Sequence, residues 1–164
     1  MSSYQLLVTG RYFTGHGFRA VQPVVDEIIS SAQDELTIVA YLITESAADL
    51  LLQTEQAAAR GIRVTFILNK PWNLPEFVRK KLAELKACSR HLEIYAFDDA
   101  DGGELHAKVV IADRKRAVIG SANLSWGGMV ANHEVGVLVE GEPVWALADV
   151  IDRLASNLQV WNPQ

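Results

Sequence analysis

Apolar and polar positions along the chain follow two different patterns, and these patterns predict its helices and strands. Residues 18–35 carry apolar side chains at about every 3.6 positions, the spacing of an amphipathic helix. Further helices are predicted at residues 45–60, 76–88 and 143–158. Short apolar runs predict strands at residues 4–8, 36–43, 62–68, 92–97, 105–112, 117–120 and 133–140. The run at 36–43 is continuous rather than alternating, which indicates a strand buried on both faces.

The order of these elements predicts the fold class. Helices and strands alternate along most of the chain, and this is typical of an α/β/α sandwich around a mostly parallel mixed sheet. The two strands at 105–112 and 117–120 are joined by a charged turn, so they form a hairpin late in the chain. No linker, repeat or low-complexity segment interrupts the pattern. We therefore expect residues 1–164 to form one domain.

Composition and charge narrow the function classes. The chain has a net charge of -5, which argues against indiscriminate binding of polyanions. It has a single cysteine, so an internal disulfide and a cysteine-based zinc site are both excluded. The N-terminal segment lacks the pattern of a signal peptide, and the longest apolar run, residues 38–43, is far too short to span a bilayer. We expect a cytoplasmic protein without stable membrane association.

Five polar residues are set into the predicted hairpin: His106, Lys108, Asp113, Ser121 and Asn123. His106 and Lys108 are two positions apart, so on a strand they share a face, and the second strand returns Ser121 and Asn123 to the same end. Ammonium, hydroxyl and amide groups together suit an anionic oxygen ligand such as a phosphate, and an imidazole can attack it or move a proton. No acidic cluster suited to Mg²⁺ accompanies them, so we expect neither a metal nor a cofactor.

These residues carry a resemblance to a known family. The stretches "HAKVVIAD" and "RKRAVIGSAN" fit the His-x-Lys-x4-Asp-x6-Gly-Ser-x-Asn motif without gap or substitution. The chain therefore resembles the phospholipase D superfamily, and the flanking segments are similar to that superfamily over nearly the whole chain. The resemblance implies that His106 attacks phosphorus and forms a phosphohistidine. It also implies that Lys108 and Asn123 bind the non-bridging oxygens while Ser121 assists.

Two acidic residues complete the implied site. Asp113 lies on the turn side of the hairpin, and in this superfamily the matching residue is more a structural or hydrogen-bonding partner than a reactant. Glu134, in "NHEVG", matches the downstream acid that orients the nucleophilic histidine through its other ring nitrogen, as the acid of a catalytic triad does. A plain strand residue is the alternative for Glu134.

The reaction implied by the resemblance needs a second histidine, and the chain does not supply it in a second motif. His16, His91 and His133 all lack the lysine two positions later. A chain with one motif resembles the single-motif members, which form two-fold dimers and supply one histidine from each subunit. We therefore expect an obligate homodimer with the active site at the two-fold interface.

Three functions remain open on the sequence. The first is a metal-independent nuclease, because the compact single-motif dimers in this superfamily are largely nucleases. The second is a lipid phosphodiesterase, although we expect no exposed apolar loop that would dock on a membrane. The third is a module that binds nucleic acid without cutting it. For a nucleic acid, Trp72 and Trp126 on loops after strands would stack a base or sugar, with packing as the alternative. Local basic residues would offset the acidic net charge: Lys70, Arg79, Lys80 and Arg114.

Overall fold

A computed structural model describes residues 2–163, and within them nine strands form one sheet. The strands are β1 (Ser3–Thr9), β2 (Arg19–Ala20), β3 (Glu35–Ala40), β4 (Arg63–Asn69), β5 (Leu92–Phe97), β6 (Val109–Ala112), β7 (Arg116–Gly120), β8 (Glu134–Glu140) and β9 (Gln159–Val160). The helices are α1 (Val21–Ser31), α2 (Ala48–Ala59), α3 (Glu76–Cys88) and α4 (Glu142–Ala155). Short turns of other helix types lie at Glu45–Ala47, Pro71–Asn73 and Gly127–Ala131.

The sheet is mixed, in the order β2-β1-β8-β7-β6-β3-β4-β5-β9. Strands β3, β4 and β5 are parallel to one another and are joined through α2 and α3, as helix crossovers require. The other half is mainly antiparallel, because β6 and β7 form a hairpin and β8 returns beside β7. Among the described residues, three neighbouring pairs are parallel and five are antiparallel. The predicted α/β sandwich with a mixed sheet is confirmed, with a larger antiparallel part than expected.

The helices cover the two faces of the sheet unequally. Helices α1, α2 and α3 pack on one face around Phe66, Leu36 and Ile38, which are fully buried. Helix α4 packs on the other face against Val39 and Ile111. Strand β3 thus contributes core residues to both faces, which confirms its predicted burial and explains its continuous apolar run.

The predicted elements differ from the observed ones mainly at their ends. Helix α3 and strand β5 have the predicted bounds, whereas β6 begins at Val109 rather than at residue 105. The two-residue strands β2 and β9 were not predicted, because two residues carry no detectable period. Cys88, expected from its helical context to pack as a small apolar residue, is exposed at the end of α3.

Strand directions define two ends of the sheet. The C-terminal ends of β1, β3, β4, β5 and β7 meet the N-terminal ends of β6 and β8 at one end, which we call the site end. The segments before β6 and after β7 both lie there. The tight turn between β6 and β7 lies at the opposite end, as does the end of α3.

Candidate active site

His106 and Lys108 lie in the irregular segment that leads into β6 at the site end. The imidazole of His106 is exposed, whereas Lys108 is only 8% exposed. The Lys108 Nζ donates to the His106 carbonyl oxygen at 2.7 Å and lies 2.8 Å from His106 Nδ1. The predicted pair is therefore brought into direct contact, although its segment is irregular and not a strand.

The burial of Lys108 changes its acidity. Removal of its ammonium from water lowers the pKa of Lys108, and the attraction of the Glu134 carboxylate opposes this shift. A buried cation gains more from an anionic ligand than an exposed one, since the local dielectric is lower. Lys108 is thus suited to hold an oxyanion beside the imidazole.

Ser121 and Glu134 meet where β7 ends and β8 begins. The backbone N–H of Ser121 donates to the Val135 carbonyl at 3.1 Å, which extends the strand pairing past Gly120. The Ser121 hydroxyl donates to a carboxylate oxygen of Glu134. The other oxygen of Glu134 accepts from the Asn132 amide at 3.3 Å. Glu134 is thus held by Ser121 and Asn132 at the site end, and its role in orienting His106 stays a prediction.

Asn123 is supported by the close approach of a glycine. A Cβ atom built on Gly128 would lie 2.3 Å from the Asn123 carbonyl oxygen, so only glycine fits there. The Asn123 Oδ1 atom is buried and has no hydrogen-bond partner within residues 2–163. A buried polar atom without a partner costs stability, and such atoms are enriched where a site serves a ligand.

Asp113 lies at the opposite end of the sheet and takes no part in this cluster. Its Oδ1 accepts from the backbone N–H groups of Gln33, Asp34 and Glu35 at 3.2, 2.7 and 3.0 Å. Asp113 therefore fixes the connection between α1 and β3. As a candidate catalytic residue it is corrected to a structural one, in line with its implied hydrogen-bonding role, because hairpin geometry places it a full strand away from His106.

The two candidate tryptophans both lie on site-end loops and are exposed. Trp72 is 45% exposed after β4, and Trp126 is 62% exposed after β7. Each presents more aromatic area to solvent than packing alone would leave, so stacking of a base or sugar stays a prediction. Of the basic residues, Lys70 lies at the site end, whereas Arg114 lies at the far end in ion pairs with Glu35, Asp149 and Asp152.

Tyr41 is a site neighbour that the sequence reasoning missed. Its ring centroid lies 4.5 Å from that of His106, with the planes inclined at 49°. The Lys108 Nζ lies 5.2 Å from the same Tyr41 centroid. The sequence carried only a weak signal for it: Tyr41 directly follows β3 at its C-terminal end, where sheets of this kind bind ligands.

An aromatic loop, residues 10–18, corrects the expectation that no apolar loop is exposed. Tyr12, Phe13 and Phe18 are 67%, 38% and 48% exposed. His133 packs against this loop, stacked on Tyr12 with ring centroids 5.1 Å apart and edge-on to Phe13. This contact gives His133 a structural role. The loop was overlooked because its glycines and polar residues break every apolar run.

Part of the sheet on the α4 side is left uncovered. Helix α4 shields Ala117 and Val139, but Leu6, Ile119 and Val135 are 43%, 38% and 50% exposed. These three residues define what we call the bare sheet face. It is continuous with the candidate site, because the Val135 N–H donates to the Ser121 hydroxyl oxygen at 3.3 Å. One groove is lined by both this face and the aromatic loop.

Two further features bear on ligands and on membranes. No group of three or more His, Cys, Asp or Glu side chains within residues 2–163 could hold a metal ion. Across the same residues, no helix is both long and apolar enough to cross a membrane.

The fold agrees with comparisons to known proteins. Residues 25–158 match the family described as "Cardiolipin synthase, PLD-like domain". The chain is 27% identical over 135 residues to the DISARM protein DrmC of Bacillus paralicheniformis, covering 82% of this chain. It spans only 55% of that relative's length.

Two solved structures share the fold over nearly their whole length. NucT from Helicobacter pylori has a TM-score of 0.79 and 20% identity, covering 98% of this chain and 100% of that one. The phospholipase D family member Nuc from Salmonella typhimurium has a TM-score of 0.78 and 18% identity, covering 98% and 99%. At these identities the likeness establishes the fold alone. With the family match over most of the chain, it follows that this protein belongs to the phospholipase D superfamily.

Proposed function

We propose that the protein is a metal-independent phosphodiesterase, and most specifically a nuclease that cleaves DNA or RNA through a phosphohistidine on His106. The observation that carries this proposal is the contact between the exposed imidazole of His106 and the buried ammonium of Lys108. This contact supports the proposal because an imidazole suited to attack phosphorus would act beside a cation suited to a non-bridging phosphate oxygen. Asn123 carries an amide donor and lies at the same end, where the Ser121 hydroxyl is held by Glu134.

The proposed reaction has two displacement steps. A ring nitrogen of His106 attacks phosphorus, the N–P bond forms, and the P–O bond to the leaving group breaks. The leaving oxygen takes a proton from a second histidine. Water then attacks the phosphohistidine and gives its proton to that second histidine, and the N–P bond breaks. Lys108 stabilises the charge on the phosphoryl oxygens in both steps.

The second histidine is proposed to be His106 of the partner subunit in a homodimer. The bare sheet face supports this arrangement, because exposed apolar residues of a sheet favour burial against a partner. Its continuity with Ser121 and Glu134 would place two copies of the site near one two-fold axis. A dimer formed through this face would combine two half-sites.

A nucleic acid fits the site end better than a lipid in one respect. Trp72 and Trp126 expose aromatic area on loops at that end, which suits stacking of unpaired bases. The local charge is mixed: Lys70 lies there, but its Nζ is 3.9 Å from Asp98, the residue that follows β5. Binding would therefore rest on stacking and on the buried Lys108 more than on a broad basic surface.

One observation favours a lipid phosphodiesterase as the second candidate. The aromatic loop and the bare sheet face together form an apolar surface beside the site. Aromatic residues on such a surface are suited to the boundary of a bilayer. A module that binds nucleic acid without turnover is the third candidate, and it shares the site of the first.

The test uses purified protein with single-stranded DNA, double-stranded DNA, RNA and phospholipid vesicles, each in excess EDTA. The matched control is His106→Ala, and His91→Ala serves as a histidine variant away from the site. We expect nucleic acid to be cut by the wild type and by His91→Ala but not by His106→Ala. Release of lipid headgroups without nucleic-acid cleavage would select the second candidate. Binding without cleavage of any substrate would select the third.

A further inference from the structure

We propose that Tyr41 is a positioning residue whose ring holds the His106 imidazole and the Lys108 ammonium in their reactive arrangement. The inference rests on the proposed function, because it assumes that His106 is the nucleophile. It concerns a residue outside the matched motif. Three observations support it: the position of Tyr41 in the sheet, the contacts of its ring, and its acidic neighbour Glu104.

Strand pairing places Tyr41 beside the nucleophile. In the antiparallel pair of β3 and β6, Val39 lies opposite Val109. Tyr41 follows Val39 by two positions, and the segment of His106 to Lys108 precedes Val109. The largely buried β3 strand is thus the base from which the Tyr41 ring reaches the site.

The ring contacts both functional groups at once. Its centroid is 4.5 Å from the His106 centroid, which is within the range of favourable aromatic pairs. The Lys108 Nζ lies 5.2 Å from the Tyr41 centroid, close enough for an attraction between the cation and the ring. Since Lys108 Nζ is also 2.8 Å from His106 Nδ1, the three side chains form one closed set of contacts.

The Tyr41 hydroxyl has an acidic neighbour on the segment that carries His106. Tyr41 and Glu104 line one pocket, and the Glu104 carboxylate raises the pKa of Tyr41. Glu104 precedes His106 by two residues. The phenol therefore stays protonated beside the segment before β6.

Such support is needed because the backbone of His106 lies outside the strand ladder. Strand β6 begins only at Val109, and the His106 side chain is exposed. An exposed imidazole turns freely about its side-chain bonds unless a neighbour restricts it. Attack on phosphorus requires a defined approach, so restriction of the ring raises the rate of the chemical step.

The first experiment compares Tyr41→Phe and Tyr41→Leu on bis(p-nitrophenyl) phosphate, a substrate that depends on neither a nucleic acid nor a lipid. We expect Tyr41→Phe to keep kcat within about threefold, because the ring remains. Tyr41→Leu is expected to lower kcat by about 10- to 100-fold with little change in KM, since positioning acts on the chemical step. The control is Tyr95→Leu, which removes a tyrosine that is hydrogen-bonded to Glu93 away from the site.

The second experiment measures the ring-nitrogen signals of His106 by NMR of ¹⁵N-histidine-labelled protein. Circular dichroism checks that each variant is folded. We expect the His106 ring signals to shift and broaden in Tyr41→Leu but not in Tyr95→Leu. Unchanged His106 signals, or full kcat in a folded Tyr41→Leu variant, would overturn the proposal. An equal fall in kcat in Tyr41→Phe and Tyr41→Leu would overturn the role of the ring. If the wild type hydrolyses no phosphodiester, the proposed function fails, and the NMR comparison still decides whether Tyr41 positions His106.

Discussion

The Nζ of Lys108 lies 2.7 Å from the carbonyl oxygen of His106 and 2.8 Å from its Nδ1. Just before β6, a buried cation and an exposed imidazole thus lie side by side. A buried ammonium with few partners is costly for the folded state. The arrangement indicates that Lys108 serves a ligand more than it serves stability.

Replacement of Lys108 by methionine separates the role of its ammonium toward a ligand from its effect on stability. We expect Lys108→Met to lower kcat by more than about 100-fold, because a cation next to the phosphoryl oxygens is lost. Thermal unfolding should show equal or greater stability, since burial of an ammonium is no longer required. Lys108→Arg is the control that keeps the charge. A clear fall in the melting temperature of a folded Lys108→Met protein would contradict this account.

The same lysine predicts a pH dependence of stability. Burial lowers the pKa of Lys108 below its ordinary 10.5, so the folded protein binds fewer protons than the unfolded chain just below that pH. Stability must then rise with pH in that window and fall as pH decreases through the folded-state pKa. Chemical denaturation at a series of pH values below 10.5 should show this increment in the wild type, and its absence in Lys108→Met.

Ser121 and Glu134 should act as one unit. Because the serine hydroxyl donates to the Glu134 carboxylate, we expect Ser121→Ala and Glu134→Gln each to lower kcat by about tenfold or more. The double variant should lower kcat by a factor smaller than the product of the two single-variant factors. Strictly multiplicative losses would mean that the contact has no role in turnover.

Asp113 should matter for folding and not for chemistry. Asp113→Ala removes an acceptor for three backbone N–H groups, so we expect a loss of about 2–3 kcal/mol in the free energy of unfolding. Asp113→Asn retains an acceptor oxygen and tolerates the positive φ of 54°, so its loss should be smaller. The folded fraction of each variant should keep wild-type kcat. A large kcat loss in fully folded Asp113→Asn would point instead to a catalytic role.

The bare sheet face should form the dimer interface. We expect Leu6→Glu to give a monomer without phosphodiesterase activity, because a carboxylate would be buried against its partner. Val150→Glu is the control, since Val150 is 61% exposed on α4. Sedimentation velocity distinguishes the monomer from the dimer. If Leu6→Glu remains a dimer with full activity, the interface lies elsewhere.

Asp98 should weaken the binding of nucleic acid. Asp98→Asn removes a charge 3.9 Å from Lys70 at the site end, so binding of single-stranded DNA should tighten by about two- to tenfold at low salt. The difference should shrink as salt rises, since salt screens exposed charges. Glu142→Gln, at the opposite end, removes the same charge and should leave the fluorescence anisotropy titration unchanged. An equal effect of both variants on binding would indicate that the net negative charge of the protein repels the DNA, and not Asp98 in particular.

The sequence predicted the fold well because its signals are local and periodic. The apolar run of β3 and the amphipathic pattern of α3 each identify an element within one window of residues. Likewise, the spacing of His106, Lys108, Ser121 and Asn123 depends on one hairpin. Hairpin geometry therefore predicts that these residues lie at one end of the sheet.

The features that were missed depend on contacts between distant segments. Tyr41 reaches His106 only because β3 and β6 are neighbours in the sheet, and no pattern around residue 41 contains that pairing. The bare sheet face exists because α4 covers only part of the sheet. The apolar period of α4 does not reveal which strands the helix covers. The segment before β6 was predicted as strand because its apolar pattern does not reveal the side-chain contact from Lys108 to the His106 carbonyl.

Cys88 is exposed at the end of α3, at the end of the sheet opposite to the site. As the sole thiol of the chain, it accepts a maleimide dye or a nitroxide at one defined position, with no need to engineer other cysteines away. In a two-fold assembly the two labels would report one separation by energy transfer or electron spin resonance. Labels on Cys88 would therefore measure the distance between paired subunits without any substitution in the sequence.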